Sequence, residues 1–427
     1  MRQHLEAAVP VGEDPRQHAR ALARMHEAAV RGTRPLPGRP RPVIGASWSR
    51  MRSLGVDPEH GAGNSLLEPA RLEQRRQASG LADALPTLRD GLLGVAEDAA
   101  QIMVVVDAEG TVLWRDGSIP VRQRADSLGF VEGMSWQERT VGTNAIGTAL
   151  VARKPLQVYS AEHYVRSHHA WTCAAAPLHD PRDGKLLGVV DLSGPAATVH
   201  ASTLALVVTV ARLAEAQLRN AHFAKLSRLR SVAVPLLSRV AGPAVVIDPH
   251  GWTAATSEMP QLDRLLLPDR FAAGQQWLPA YGACTVEPLP GGWLLRPATG
   301  ALEAGVAEHA STTAELDVRQ SHSWSLTVTS ASGTWTHALS PRHAEILYVL
   351  ARHRQGRSAA QLSADLFGTP ERAVTVRAEL SRLRRHLGGL IVGRPYRFAD
   401  EVEIRVRQPA DGSRLLPFSL APAVRAR

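Results

Sequence analysis

Thr375–Gly388 reads TVRAELSRLRRHLG, and this stretch decides how the carboxyl-terminal part of the chain is interpreted. Val376, Leu380, Leu383 and Leu387 recur at i, i+4, i+7 and i+11, which places all four on one narrow helical stripe. At the same angular step Val374, Ala378, Ser381, Arg382 and Arg385 point away from that stripe, with Thr375 and Arg377 on its flanks. A helix that buries Val and Leu while presenting Arg, Ser and Thr outward suits a DNA major groove. There arginine reads guanine edges and hydroxyls meet phosphate.

The surrounding sequence frames this helix. Upstream, Ser340 can cap a helix with Pro341 in its first position, where a missing N–H costs nothing, running to about His353 and burying Ile346, Leu347 and Leu350. Ser358 starts a second helix ended by Gly368, and Thr369–Glu371 leads into the third. Trp324–Val328 and Thr334–Ala338 precede them as a strand pair. After Gly388 and Gly389, Leu390–Ala399 (LIVGRPYRFA) has the strand–turn–strand pattern of a wing. Charge agrees: the formal net charge of the 427 residues is +9, and from His337 onward there are 16 Arg and no Lys against 8 Asp and Glu. A basic terminal domain facing a polyanion fits that asymmetry; a solvated basic surface is the other reading.

LSPRHAEILYVLARHRQGRSAAQLSADLFG, TVRAELSRLRRHLG and RPYRF together resemble the winged-helix DNA-binding domain of OmpR-type regulators. The resemblance implies DNA contacts from Thr375, Arg377, Ser381, Arg382 and Arg385, with Arg394 and Arg397 in the wing. No phosphoacceptor receiver pattern stands upstream, so activation by phosphorylation is not expected.

Earlier in the chain the hydrophobic period changes. Ile102–Asp107, a turn at Ala108–Gly110 and Thr111–Arg115 read as a hairpin; Thr172–His179, DPRDGK and Leu186–Ser193 read as a second. Thr203–Arg230 reads as a long helix with Leu204, Val208, Ala211, Gln217 and Leu218 placing a mostly apolar stripe on one side. Ala244–Asp248 with Trp252–Ala255, and then Val286–Arg296, form a smaller β-rich segment. SWSRMRSLGVDP, DAEGTVLWRDG, GMSWQERTVGTNAIGTAL, EHYVRSHHAWTCAAAPLHDP and LLGVVDLSG, in this order, are similar to the GAF-containing sensor region of the acetoin-catabolism class of bacterial enhancer-binding activators. That resemblance implies a small-molecule sensor. The ATPase module of such activators needs a GxxxxGK[ST] phosphate loop, and the sequence has none, so regulation by occupancy or direct polymerase contact is expected.

Trp136, Asn144, Thr148, His163, His169, Trp171 and Cys173 combine apolar walls with a few directional polar groups, the makeup of a small-ligand site. Each also has a structural reading: Asn144 can tie a turn, and Trp136 and Trp171 can fill core. His163, His168, His169 and Cys173 are candidate metal ligands by type, but their spacing matches no standard zinc finger, and strand alternation would send His168 and His169 to opposite faces. No metal and no cofactor are expected. Neither GxSxG nor HExxH occurs, Asp191 and Ser193 lack an evident His partner, and an enzyme is not expected.

The fold class expected is α+β multidomain: a polar leader and Pro-rich linker at 1–42, a helical module at 43–94, a GAF sensor at 95–230, and a PAS-like segment at 231–297. A linker at 298–314, a winged helix at 315–407 and a tail at 408–427 complete it. Two Cys argue against a disulfide framework. The longest strongly apolar runs, Ile102–Val106 and Leu204–Ala211, fall well below the roughly 20 residues that span a bilayer, so a cytoplasmic chain with no membrane partner is expected. Its expected partners are double-stranded DNA, an unidentified small-molecule effector, RNA polymerase and, through the long helix, a second copy in a homodimer. The alternative is a sensor or scaffold whose basic domain contacts a protein such as RNA polymerase without reading DNA.

Overall fold

Residues 5–10, 12–33, 38–63, 65–259, 262–265, 267–268, 271–278, 281–298, 312–319, 324–330, 333–387, 390–393, 395–400, 402–410, 415–416 and 419–425 are described by a computed structural model. The chain divides into two units, Met1–Asn220 and Ala221–Arg427.

The first unit is built on one antiparallel sheet with helices on both faces. Four helices lead in: α1 (Pro15–Arg31), α2 (Pro42–Leu54), α3 (Pro69–Ala78) and α4 (Leu85–Asp98). Strands β1 (Ile102–Asp107) and β2 (Val112–Gly117) form the first hairpin. Helices α5 (Ile119–Asp126), α6 (Glu138–Val141) and α7 (Ala145–Ala152) follow, then β3 (Leu156–Tyr159), β4 (Trp171–His179) and β5 (Leu186–Pro195). The sheet order is β2-β1-β5-β4-β3.

Strand alternation sorts side chains between the two faces. Met103, Val105, Ala174, Ala176, Val190 and Leu192 pack against α4 and the start of α8 (Ala201–Leu237). Gly91 lets α4 and α8 approach closely, since a Cβ there would lie 2.7 Å from Val210. On the other face Ile102, Val104, Cys173, Ala175 and Val189 share a core with Val121, Phe130, Trp136, Ala145 and Ala149. Leu22, Met25, Ala29, Ile44, Trp48 and Met51 belong to that same core.

This corrects three expected boundaries. The 1–42 leader contains an integral helix: Asp14 caps α1 and its apolar side is buried. The boundary at 94 cuts α4, whose Leu88, Leu92 and Ala96 cover the sheet. The first unit ends within the long helix, ten residues before the expected 230. α8 has 37 residues and is long and apolar enough to cross a membrane by length and composition alone; its Leu204, Val207, Val208 and Ala211 are buried in the first unit.

The second unit holds a second five-stranded antiparallel sheet: β6 (Ala244–Ile247), β7 (Thr253–Ser257), β8 (Gly274–Leu278), β9 (Gly282–Leu289) and β10 (Gly292–Pro297), in the order β7-β6-β10-β9-β8. This order repeats that of the first sheet.

A further sheet, β13-β12-β11-β16, is formed by β11 (Thr312–Asp317), β12 (Trp324–Ser330), β13 (Gly333–Leu339) and the distant β16 (Val402–Arg407), which lies parallel to β11. Between β13 and β16 run α9 (Pro341–Arg352), α10 (Ala359–Phe367) and α11 (Ala373–Leu387), then the short pair β14 (Ile391–Val392) and β15 (Arg397–Phe398). Ser340 caps α9 and Ser358 caps α10, each accepting from the N–H three residues on, and Gly368 in the left-handed region ends α10. Two boundaries are corrected here as well. Thr312–Ala314, expected as linker, pairs with β12 and β16, while 299–311 lies outside the described residues. The expected tail supplies Leu416, Ala421 and Val424 to the core, and its α12 (Pro422–Arg425) packs on α9 and α10.

Candidate functional site

Two constellations carry chemistry, one in each unit. The first lies on the α7 side of the first sheet. Asp191 and Ser193 sit on β5 at alternate positions and therefore share a face with Val189, opposite Ala175 and Cys173 on β4 and beside Val104 and Ile102 on β1. Asp191 is completely buried, and the Ser193 hydroxyl donates to its Oδ2. Its Oδ1 has no hydrogen-bond partner among the described residues. Burial away from water pushes this carboxyl up to about 7.

The neighbouring residues extend the polar patch. Cys173 Sγ lies 3.5 Å from His163 Nε2, and His163 Nδ1 lies 2.9 Å from the Ser160 carbonyl. With Nδ1–H donating to that carbonyl, Nε2 is left to accept from the thiol. Burial, and then His168, depress His163 to about 3, so the ring is neutral at physiological pH. Burial, and then the Asp191 charge, hold the Cys173 thiol well above its ordinary value. The His168 ring lies 6.1 Å from His163 and 5.1 Å from Trp136, whose indole also packs at 3.9 Å on Phe130. His168 is lowered to about 4 by burial and is neutral as well. Trp136 Nε1, Thr148 Oγ1 and His168 Nδ1 are buried without hydrogen-bond partners among the described residues.

An unpaired buried polar atom costs roughly 1–3 kcal/mol, and native cores rarely keep several together. Asp191 Oδ1, Thr148 Oγ1, Trp136 Nε1 and His168 Nδ1 are four such atoms, with Asp191 on β5, Thr148 on α7 and the Trp136 and His168 rings packed at 5.1 Å. The arrangement is chemically open: it offers a donor at Trp136, a carboxyl oxygen at Asp191, and groups that do either at Thr148 and His168.

The other residues expected in this site have structural work. Asn144 caps α7: its Oδ1 accepts from Gly147 N–H at 2.8 Å, while Nδ2 donates to Gly142 O at 2.8 Å and Trp136 O at 3.2 Å. Both ends of the amide are used on backbone, so the reading of Asn144 as a ligand contact is corrected to that of a cap. His169 faces away from His168, bonding the His163 carbonyl at 3.1 Å and meeting His26 edge-on at 4.8 Å. A 3-10 turn at Arg166–His168 separates the two rings, and β4 begins only at Trp171, so strand alternation is not the cause. Trp171 is buried under Arg124 at 5.9 Å. The burial of Asp191 has a sequence signal in LLGVVDLSG, where a carboxyl occupies an inward position of an apolar strand.

Helix α2 is tied to this side of the sheet by two buried carboxylates. Glu138 accepts from Ser47 Oγ at 2.6 Å and from Arg50 Nη2 at 2.8 Å, and Ser47 also meets Thr143 at 2.7 Å. Glu162 accepts from Arg41 Nε at 2.8 Å and from Tyr159 N–H at 3.0 Å, while Trp48 Nε1 donates to its carbonyl at 2.9 Å. SWSR, QERTVGTN and the Glu-His-Tyr of EHYVRSHH thus hold one another. Among the described residues no three His, Cys, Asp or Glu side chains converge as a metal site.

The second constellation is α11. Val376, Leu380, Leu383 and Leu387 are buried, and Thr375, Arg377, Ser381 and Arg382 are exposed. Arg382 remains 63% exposed while its Nη1 lies 2.7 Å from Glu379 Oε1; Glu379 Oε2 is 3.1 Å from His343 Nε2 on α9. Arg397 on β15 pairs with Asp400. The side chain of Arg385, and Arg394 altogether, lie outside the described residues.

Comparison with known proteins adds a family. The domain family described as MimR, N-terminal domain, matches residues 39–220. The Bacillus subtilis acetoin dehydrogenase operon transcriptional activator AcoR is 37% identical over 180 residues, 42% of this chain. The chain spans only 29% of that activator's length. A chain of the solved Escherichia coli DhaR(N)–DhaL complex aligns over 60% of this chain and 100% of itself, at a TM-score of 0.43 and 19% identity, too loosely to place any element. An uncharacterized 47.3 kDa protein in the thcA 5′ region of Rhodococcus erythropolis is 30% identical over 402 residues, covering 92% of this chain and 72% of that protein. The chain belongs to the family of that Rhodococcus protein, and it shares the MimR N-terminal domain with transcriptional activators of bacterial operons.

Proposed function

We propose that this chain is a cytoplasmic transcriptional regulator in which a GAF-type first unit binds a small molecule and a carboxyl-terminal winged helix binds double-stranded DNA. The observation that carries the DNA reading is α11, whose apolar stripe is fully buried while Thr375, Arg377, Ser381 and Arg382 stay in water. Arginines and hydroxyls on the solvent side of a helix are the side chains that pair with base edges and phosphates in a major groove. The β14–β15 hairpin beyond it supplies the wing, with Arg397 on β15.

Support for the sensor reading comes from the buried unpartnered atoms of Trp136, Thr148, His168 and Asp191, in the segment similar to activator amino-terminal regions. The 244–297 sheet repeats the strand order of the first and serves as a PAS-like module between sensor and winged helix. We assign the chain no enzymatic role, since its named relatives are regulators, and take the working form to be a homodimer matched to paired half-sites.

The test is selection of genomic DNA fragments by the purified full chain at fixed salt, with Arg377→Ala/Arg382→Ala as comparison. Enrichment of discrete fragments that the variant loses supports the reading. Equal behaviour of both proteins, with RNA polymerase captured by the basic domain, supports the scaffold instead.

A further inference from the structure

The water-facing side of α11 is polar along most of its length, but its first two turns carry an apolar spot. Val374 is 73% exposed, and Ala378, four residues on, is exposed as well. At about 100° per residue the two lie one above the other, on the side opposite the buried Val376, Leu380, Leu383 and Leu387. A single exposed valine is ordinary on a protein surface. Here, however, the apolar pair is the centre of a basic face. Arg377 and Arg382 are exposed on either flank of it. Just before the helix, Arg372 is exposed and held over the Phe367 ring at 5.2 Å, a ring that Arg342 also covers at 4.5 Å. Of the two carboxylates in this stretch, Glu379 is engaged by Arg382 and His343, which leaves Glu371 against the charges of Arg372 and Arg377. A polyanion is the partner that such a face suits, whereas an apolar protein surface would desolvate the arginines around the pair without neutralising them.

In a major groove the apolar group that a base edge offers is the C5 methyl of thymine. Valine, branched at Cβ, presents two methyl groups in a restricted rotamer, and a small residue one turn behind it leaves room for the groove floor. Residues four apart rise about 6 Å along a helix, so the pair reaches one thymine or two neighbouring ones. We propose that Val374, with Ala378 behind it, reads the C5 methyl group of a thymine in the DNA that this chain selects, fixing a T·A pair at that position. This rests on the DNA reading of α11 above and adds to it one base and one atom. Arginines and hydroxyls serve guanine edges and phosphates; the valine separates thymine from cytosine, which presents an amino group and no methyl on the same edge.

The experiment selects sequences from a randomised duplex DNA library with the purified full chain at fixed salt. The consensus duplex is then remade with each thymine replaced in turn by deoxyuridine, which removes the methyl group and keeps the base pairing, and affinities are read by fluorescence anisotropy. At one thymine the wild type is expected to lose about fourfold on replacement, the effect of one buried methyl group. Val374→Ala, a change to a better helix former at an exposed position, is expected to lose about as much on the thymine duplex and to bind the thymine and deoxyuridine duplexes equally. Its salt dependence is expected to match that of the wild type, because no phosphate contact is removed, whereas a displaced helix would flatten it. A bound consensus in which no thymine is sensitive to its methyl overturns the proposal and leaves the DNA reading standing. Undiminished methyl sensitivity in Val374→Ala assigns the methyl to another residue and overturns it too. If the full chain enriches no sequence, the DNA reading falls and takes the proposal with it.

Discussion

Asp191→Asn is read through the stability of the ligand-free protein as a function of pH. The Asp191 carboxyl is held at about 7 by burial against an ordinary value of 3.8, so the folded protein keeps a proton that the unfolded chain has already released between about pH 4 and pH 7. The Asp191 contribution to stability therefore falls as pH rises through that window, and the whole penalty, about 4 kcal/mol for a difference of roughly 3 units, stands above pH 7. Between pH 5 and pH 8 this penalty grows by about 2–3 kcal/mol. His163 and His168, neutral in the fold down to about 3 and 4 but titrating near 6.5 when unfolded, add a stability that rises with pH over the same interval; it is common to wild type and variant and cancels in their difference, while burial keeps the Cys173 thiol protonated. An asparagine has no charge to desolvate, although its amide N–H groups lack an acceptor, at a pH-independent cost of about 1–3 kcal/mol. The difference between wild type and Asp191→Asn should thus move by about 2–3 kcal/mol in favour of the variant from pH 5 to pH 8. Urea-dependent hydrogen exchange of the peptide over β5, corrected for the intrinsic rate at each pH, reads the first unit alone. A difference that stays flat with pH would refute the claim that this carboxyl is buried without compensation.

Three further outcomes follow from the packing. Arg41→Ala should destabilise the first unit by about 3–5 kcal/mol, seen as an earlier melt, because Glu162 stays buried without its guanidinium; a shift under about 1 kcal/mol would mean that water reaches it. Asn144→Ala should cost about 1–2 kcal/mol through the lost α7 cap and leave any residual ligand affinity within about threefold, whereas a ligand contact would lose far more. Gly188→Ala should abolish soluble expression, since its Cβ would sit 1.9 Å from the Val106 carbonyl on the paired strand; a soluble variant with native circular dichroism would contradict the β1–β5 register.

The legible parts of this molecule are those set by local period and punctuation. The α11 stripe, the Ser340 and Ser358 caps, the Gly368 stop and both hairpins of the first sheet follow from spacing and from residues with one conformational habit. Domain limits were less legible because they depend on what a segment touches far away. Residues 15–31 look polar, yet Leu22 and Met25 are buried in one core with Trp48 and Tyr164, and His26 meets both of those rings edge-on. Likewise Thr312–Ala314 belongs to a sheet only through β16, some ninety residues later. In the candidate site, residue type offers Trp136, Asn144, Thr148, His163, His169, Trp171 and Cys173 alike, and it does not tell Asn144, consumed as a cap, from Thr148, whose hydroxyl is left without a partner among the described residues. That distinction is one of hydrogen-bond accounting, which only coordinates provide.

Occupancy of genomic DNA tests the central claim most directly: fragments selected by the full chain at fixed physiological salt, sequenced, and compared with those selected by Arg377→Ala/Arg382→Ala. The account predicts a small set of discrete fragments, lost by the variant, whose binding weakens steeply as salt rises because counterions are released. Indiscriminate recovery, or the same fragments from both proteins, would contradict the assignment of α11 as the helix that reads DNA.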